Sequence, residues 1–200
     1  MNSNTIFSSI RRGYSELNDS EPSDIINYFQ NLDDRSLTGH ISNIKGILFE
    51  NVVTEQLNQQ GIETAIFESP NHPLTDIAIF DNGEVINEFQ LKATDSVEYI
   101  RNTLEAHPDI PIITTSEVAG YFDNEFLVID SGISNSYLTD SVSSILKEDS
   151  KTEISAEVTE ETISDSLGET VTDCLGETLL PIPIPISPLG LIIKGLFLIF

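Results

Sequence analysis

Apolar positions set the outline of the chain. Ile25, Ile26, Tyr28, Phe29 and Leu32 recur at roughly helical spacing behind Ser20-Glu21-Pro22-Ser23-Asp24, which joins capping residues to a proline suited to a first turn. A short helix is predicted over 23–34. From Ile41 to Gln60 no proline intervenes, and Ile44, Ile47, Leu48, Val52, Val53 and Leu57 recur before Gly61, a C-cap candidate. This stretch is predicted to be one long helix. The period then changes. Ile62 to Phe67 and Thr75 to Phe80 are short and β-prone, and the second leads into Asp81-Asn82-Gly83, the signature of a hairpin turn whose return strand is Glu84 to Ala93. Asp95-Ser96-Val97-Glu98 resembles a capping arrangement and opens a helix to about Ala106, closed by His107-Pro108. Ile110 to Thr114 and Phe126 to Ile129 are apolar runs of strand length, with Pro111 at a strand start or edge. Ser134 to Glu148 reads as a last helix. The succession of helix, three strands, helix, two strands and helix is an α/β pattern.

Beyond Lys147 the texture changes to Ser, Thr and Glu. Asp165-Ser166-Leu167-Gly168-Glu169-Thr170 recurs as Asp173-Cys174-Leu175-Gly176-Glu177-Thr178, which marks a linker. Four segments are expected: a helical extension at 1–40, an α/β core at 41–148, an acidic linker at 149–178 and a Pro/Ile-rich apolar tail at 179–200. The tail has three readings: insertion into a membrane, packing on the domain or a sister chain, or the start of a longer region. Ile186 to Phe200 is shorter than the roughly 20 residues of a straight membrane-spanning helix.

Composition changes this picture in two ways. Nine basic against 33 acidic residues give a net charge of −24, which repels polyanions and works against tight nonspecific binding of nucleic acid. Cys174 is the single cysteine, so an intrachain disulfide and a Cys-rich zinc site are both excluded. Met1 to Ile10 lacks the uninterrupted apolar stretch of a secretory signal peptide. The cytosol is the expected location, with membrane association through the tail as the variant.

The chemistry-bearing segment is Thr75-Asp76-Ile77-Ala78-Ile79-Phe80 followed by Glu88-Phe89-Gln90-Leu91-Lys92, with Gly46-Ile47-Leu48-Phe49-Glu50 ahead of it on the long helix. In this order and on these elements the residues resemble the PD-(D/E)xK nuclease superfamily. That family carries an acidic residue on its first core helix, an aspartate on its second strand and an acid-x-lysine on its third. The resemblance covers about 75 of the 200 residues. It implies a restriction-endonuclease-like core, a central mixed sheet flanked by helices, and divalent-metal-dependent hydrolysis of nucleic acid, DNA first. Glu50, Asp76 and Gln90 would then hold Mg²⁺ or Mn²⁺. Carboxylates suit a hard cation that neutralises charge on the phosphate oxygens and lowers the pKa of the attacking water. Lys92 would orient or deprotonate that water as a fixed cation. Gln90 departs from the usual Glu or Asp, although its amide oxygen remains a ligand of lower charge, and no proline directly precedes Asp76.

Strand parity tests whether these side chains can meet. A two-residue Asn82-Gly83 turn would pair Phe80 with Val85 and put Asp76 opposite in parity to Glu88, Gln90 and Lys92. A three-residue Asp81-Asn82-Gly83 loop pairs Asp76 with Glu88 and gathers all four on one face. It leaves Ile77, Ile79, Val85, Phe89 and Leu91 for the core. The three-residue loop is therefore predicted, with Glu88 as a further metal-ligand candidate. His72, in the loop before Asp76, is a weaker candidate for substrate contact. Each residue also has a plain reading: Asp76 as a turn-capping aspartate, Lys92 as an exposed strand lysine and Glu50 as a solvated helix residue. The alternative to an enzyme is a catalytically inactive binding module on the same scaffold, tethered to a membrane or protein partner by 179–200. Self-association is compatible with either.

Overall fold

The computed structural model describes residues 2–67, 74–122 and 125–147. The linker, the apolar tail and His72 lie outside the described residues.

Helix α1, Ser3–Gly13, opens with the Asn2 side chain accepting from the Asn4 N–H and ends with Arg11 and Arg12 in its last turn, where positive charge suits the helix dipole. Its Ile6, Phe7 and Ile10 are buried. The N-terminal stretch, expected above to be part of a helical extension, is thus an amphipathic helix packed into the core. Helix α2 spans Pro22–Gln30 and buries Ile25, Ile26 and Phe29. Helix α3, Asp34–Gln59, begins well before the predicted Ile41. The Asp33 carboxylate receives the Arg35 and Ser36 N–H groups, so a cap starts the helix ahead of its apolar periodicity. Gly61, at φ +74, takes the left-handed conformation that ends it.

Five strands follow: β1 Thr64–Ile66, β2 Ile77–Asp81, β3 Glu84–Lys92, β4 Ile112–Thr114 and β5 Val128–Asp130, hydrogen-bonded in that order. The β1/β2 and β2/β3 pairs are antiparallel, while β3/β4 and β4/β5 are parallel. Helix α4, Val97–Ala106, connects β3 to β4. Short α5, Ser116–Ala119, and α6, Asn135–Lys147, complete the described chain. The result is an α/β fold with a mixed five-stranded sheet between helices. On one face Ile77, Ile79, Phe89, Leu91, Ile113 and Ile129 form a single core with Leu48, Phe49, Val53 and Leu57 of α3, joined by residues of α1, α2 and α6. On the other, Ile112 packs with Ile100 of α4, Val118 and Val128.

The hairpin corrects one expectation and keeps its consequence. Asn82 (φ +51) and Gly83 (φ +83) form a two-residue turn, with Asp81 opposite Glu84 and Phe80 opposite Val85, instead of a three-residue loop. Two positive φ angles at Asn-Gly are what a type I′ turn requires, and its twist matches that of the strands. A bulge then shifts the register, so that Ile79 pairs with Asn87 and Ile77 with Phe89, leaving Ile86 as the extra residue. The bulge restores the parity that the tight turn would have lost. Glu88 therefore lies opposite Ala78. Val85, expected in the core, is 50% exposed because it sits on the turn side of the bulge.

Candidate functional site

Asp76 stands one residue before β2 and is fixed by three bonds. Its N–H donates to the Phe89 carbonyl (2.8 Å), its own carbonyl accepts from the Phe67 N–H (3.1 Å), and its carboxylate Oδ2 accepts the Leu91 N–H (2.7 Å). With β2 beginning at Ile77, the carboxylate supplies Leu91 with the acceptor that a longer strand would have offered. A bond to a strand N–H runs along the sheet plane, so the carboxylate sits at the sheet margin between its two faces.

Glu50 approaches from α3. Its carboxylate Oε2 accepts from Arg12 Nη1 of α1 at 2.7 Å, and both side chains are mostly covered, 15% and 22% exposed. Burial raises the Glu50 pKa. The hydrogen bond and charge of Arg12 lower it, the negative charge of Asp76 raises it and the positive charge of Lys92 lowers it. Burial and Arg12 therefore dominate the titration of Glu50, with Asp76 and Lys92 as the smaller influences.

Lys92 is half-buried at the end of β3, with its Nζ 6.0 Å from the centre of the Tyr99 ring of α4, and its carbonyl accepts the Thr114 hydroxyl at 2.8 Å. Gln90, paired with Ile112 of β4, shares the strand parity of Lys92. Its Oε1 is buried and has no hydrogen-bond partner among the described residues. A buried amide oxygen left without a donor is uncommon in a folded protein and is the one group here that would gain from a cation.

Glu88 goes elsewhere. Its Oε2 accepts the Thr75 hydroxyl at 2.8 Å, and it borders an open cleft of about 310 Å³ with Leu74, Asn87, Asp109 and Pro111. Its neighbours are therefore Thr75 and the cleft, and it is not among the charges that shift Glu50. Among the described residues no three or more His, Cys, Asp or Glu side chains gather as a metal site. Glu50, Asp76 and Gln90 each offer oxygen donors, the chemistry that would suit Mg²⁺ or Mn²⁺.

Arg12 is the residue that the sequence reading missed. Its signal was available: Ile6, Phe7 and Ile10 have helical spacing behind the capping Asn2, and they carry the Arg11-Arg12 pair to the helix end. Gly13 lets that end approach α3 closely, since a Cβ there would overlap Ile47 Cδ1. Asn51 Nδ2 donates to Ser9 Oγ at 2.7 Å and ties the same two helices a turn away.

A second polar cluster fastens α6. Glu117 accepts from the Asn135 N–H (2.8 Å), the Ser134 hydroxyl (2.6 Å) and the Ser136 N–H (3.2 Å), while Lys45 Nζ donates to Asn135 Oδ1 at 2.7 Å. Burial opposes ionisation of Glu117, but these bonds outweigh it and bring its pKa to about 2.

The chain matches no protein-family model, no curated protein and no solved structure. Among the described residues no helix is long and apolar enough to cross a membrane.

Proposed function

We propose that the protein is a divalent-cation-dependent nuclease with a restriction-endonuclease-like core, hydrolysing phosphodiesters of nucleic acid. The observation that carries this reading is the seating of the Asp76 carboxylate against β3, where it accepts the Leu91 N–H at 2.7 Å between Gln90 and Lys92. An acid from a helix, an acid at a strand start and a lysine at the next strand's end are what such chemistry needs in one place. Glu50, Asp76 and Gln90 would hold Mg²⁺ or Mn²⁺, and the cation would supply charge neutralisation and a more acidic water. Lys92, stacked near Tyr99 and held by its strand, orients the attacking water and offsets negative charge on the phosphate oxygens. Hydrolysis joins the water oxygen to phosphorus as the phosphorus–oxygen ester bond breaks, and the leaving oxygen takes up a proton. DNA is the first substrate to test. With a net charge of −24, and with only Arg35, Arg101 and Lys147 exposed among the basic residues described, affinity rests on the site or on a basic partner. The reading places the protein in the cytosol.

A second reading is favoured by one specific observation. Asp76 already satisfies Leu91 and Glu50 already pairs with Arg12, so the polar groups are largely matched without a cation. On that reading the chain is an inactive, nuclease-like binding module tethered by residues 179–200. Calorimetric titration of Mn²⁺ separates the two. The nuclease reading expects one site that Asp76→Asn abolishes. Absence of any such site favours the binding module.

A further inference from the structure

A groove of about 430 Å³ lies between α4 and the described residues that join α5 to β5, within the size range of ligand clefts. Leu104, Tyr121, Phe122 and Leu127 give it an apolar lining. Leu104 and Phe122 also pack against the second core of Ile100, Ile112 and Val118, so the groove is floored by fixed side chains. Tyr121 is 73% exposed, and Phe126, between two residues that line the groove, is 91% exposed. Apolar side chains gathered at the surface beside a groove mark a place where another chain packs.

The protein supplies a segment of fitting chemistry. Pro181, Pro183, Pro185 and Pro188 carry no N–H, and their rings hold φ near −65°, so this stretch loses little freedom on docking and its prolines leave no donor unpaired. Pro185-Ile186-Ser187-Pro188 has the Pro-x-x-Pro spacing that seats against aromatic side chains. Charge points the same way. Residues 179–200 carry Lys194 and no acidic residue in a chain of net charge −24, and the groove is bordered by Glu105 and Glu125 against the single cation Arg101. Length is sufficient as well. Residues 148–180 separate α6 from Pro181, and a coil of about 33 residues spans roughly 30 Å. The described domain has a radius of gyration of about 15 Å, so the segment reaches the groove from the end of α6. A linked segment acts at an effective concentration on the order of 1 mM, so an intrinsic dissociation constant of about 0.1 mM would keep the groove about 90% occupied.

We propose that the groove between α4 and the α5–β5 connection binds residues 181–188 of the same chain, with Pro185 and Pro188 against Tyr121 and Phe122 and Lys194 toward Glu105 and Glu125. Docking there draws the apolar residues 189–200 onto the domain and out of water. It is independent of the cation chemistry proposed for Asp76.

Cys174 is the single cysteine and lies shortly before Pro181, so a nitroxide attached to it reports the docking in the full chain by nuclear magnetic resonance. In ¹⁵N-labelled protein the amide signals of Leu104 and Leu127 are expected to lose most of their height and to regain it when the nitroxide is reduced. Those of β1, at the opposite edge of the sheet, keep theirs. Pro185→Ser with Pro188→Ser, and separately Tyr121→Ser, should each restore the groove signals. Tyr121 is exposed and the two prolines lie outside the described domain, so neither change touches the core. Spin-labelled ¹⁴N protein mixed with ¹⁵N protein carrying Cys174→Ser should leave the groove signals at full height, because the contact lies within one chain. Groove signals at full height in the wild type, a loss that survives either substitution, an equal loss over the whole surface, or a loss in the mixed sample would overturn the proposal. Full groove signals together with sedimentation of the chain on phosphatidylcholine vesicles would assign residues 179–200 to a lipid surface instead.

Discussion

Asp76 is asked to do two things at once, and a pair of substitutions separates them. Its Oδ2 accepts the Leu91 N–H at 2.7 Å in the sheet margin, where β2 offers no backbone acceptor. Asp76→Ala leaves that partly covered N–H without a partner. A hydrogen bond to a charged acceptor contributes roughly 1.5–3 kcal/mol, so unfolding free energy should fall by about that amount. For a domain of this size the melting temperature should drop by roughly 3–12 °C. Asp76→Asn keeps an oxygen that can accept the same N–H, and its cost should stay below about 1 kcal/mol, within the worth of a neutral hydrogen bond. Stabilisation by Mn²⁺ should nevertheless vanish in both variants, because each removes the carboxylate charge that would hold the cation. Urea unfolding followed by circular dichroism, with and without Mn²⁺, reads all of these quantities. Equal destabilisation by Ala and Asn would refute the assignment of the Leu91 bond. Retained Mn²⁺ stabilisation in Asp76→Asn would refute the ligand role.

Three further predictions concern the frame around the site. Glu117 has a folded pKa of about 2, below its ordinary value of 4.5, so its contribution is present above about pH 4.5 and is lost as pH falls toward 2. Glu117→Ala should cost about 1 kcal/mol near neutrality, the usual cost of losing a helix cap, and the gap from wild type should close in urea melts taken at progressively lower pH. Phe89→Ala, at a fully buried position under α3, should cost about 3–5 kcal/mol, whereas Val85→Thr at its half-exposed position should change stability by less than about 0.5 kcal/mol in the same urea assay. Gly83→Ala forces a side chain into φ +83 and should destabilise the hairpin by roughly 1–2 kcal/mol, seen as a lower urea midpoint with unchanged slope.

Much of the α/β outline was legible because long helices and short apolar strands advertise their periods. The long helix shows in Ile44, Leu48 and Leu57, and the hairpin in Asn82-Gly83 between two β-prone runs. What the pattern did not resolve was how parity is kept around the turn. A three-residue loop and a tight turn with a bulge leave Glu88, Gln90 and Lys92 with the same alternation, and a bulge needs no special residue. The one local hint was the adjacent apolar pair Val85-Ile86, which breaks strict alternation where the extra residue is accommodated. Helix starts set by a cap, such as Asp33 ahead of α3, were missed for a related reason: the apolar stripe begins later than the helix. The helix that carries Arg12 was legible from its apolar spacing, but its partner was not, because Arg12 lies far from Glu50 in sequence and only the packing of α1 on α3 brings the two into a 2.7 Å ion pair. Glu88 was proposed as a ligand from a register with Asp76 directly opposite it. The bulge puts Ala78 there instead, and the Glu88 carboxylate is engaged by Thr75.

The measurement that bears most directly on the proposed activity is cleavage of single-stranded and duplex DNA, and of RNA, by the wild type and Lys92→Ala with Mg²⁺, with Mn²⁺ and with chelator. Lys92 is half-buried at the end of β3 and belongs to neither apolar core, so its replacement bears on the chemistry more than on the packing. The account predicts cleavage that requires the divalent cation and falls by about 10²-fold or more in the variant, the scale expected for losing a group that orients the attacking water. Absence of cation-dependent cleavage from the wild type, or equal cleavage by Lys92→Ala, would contradict it.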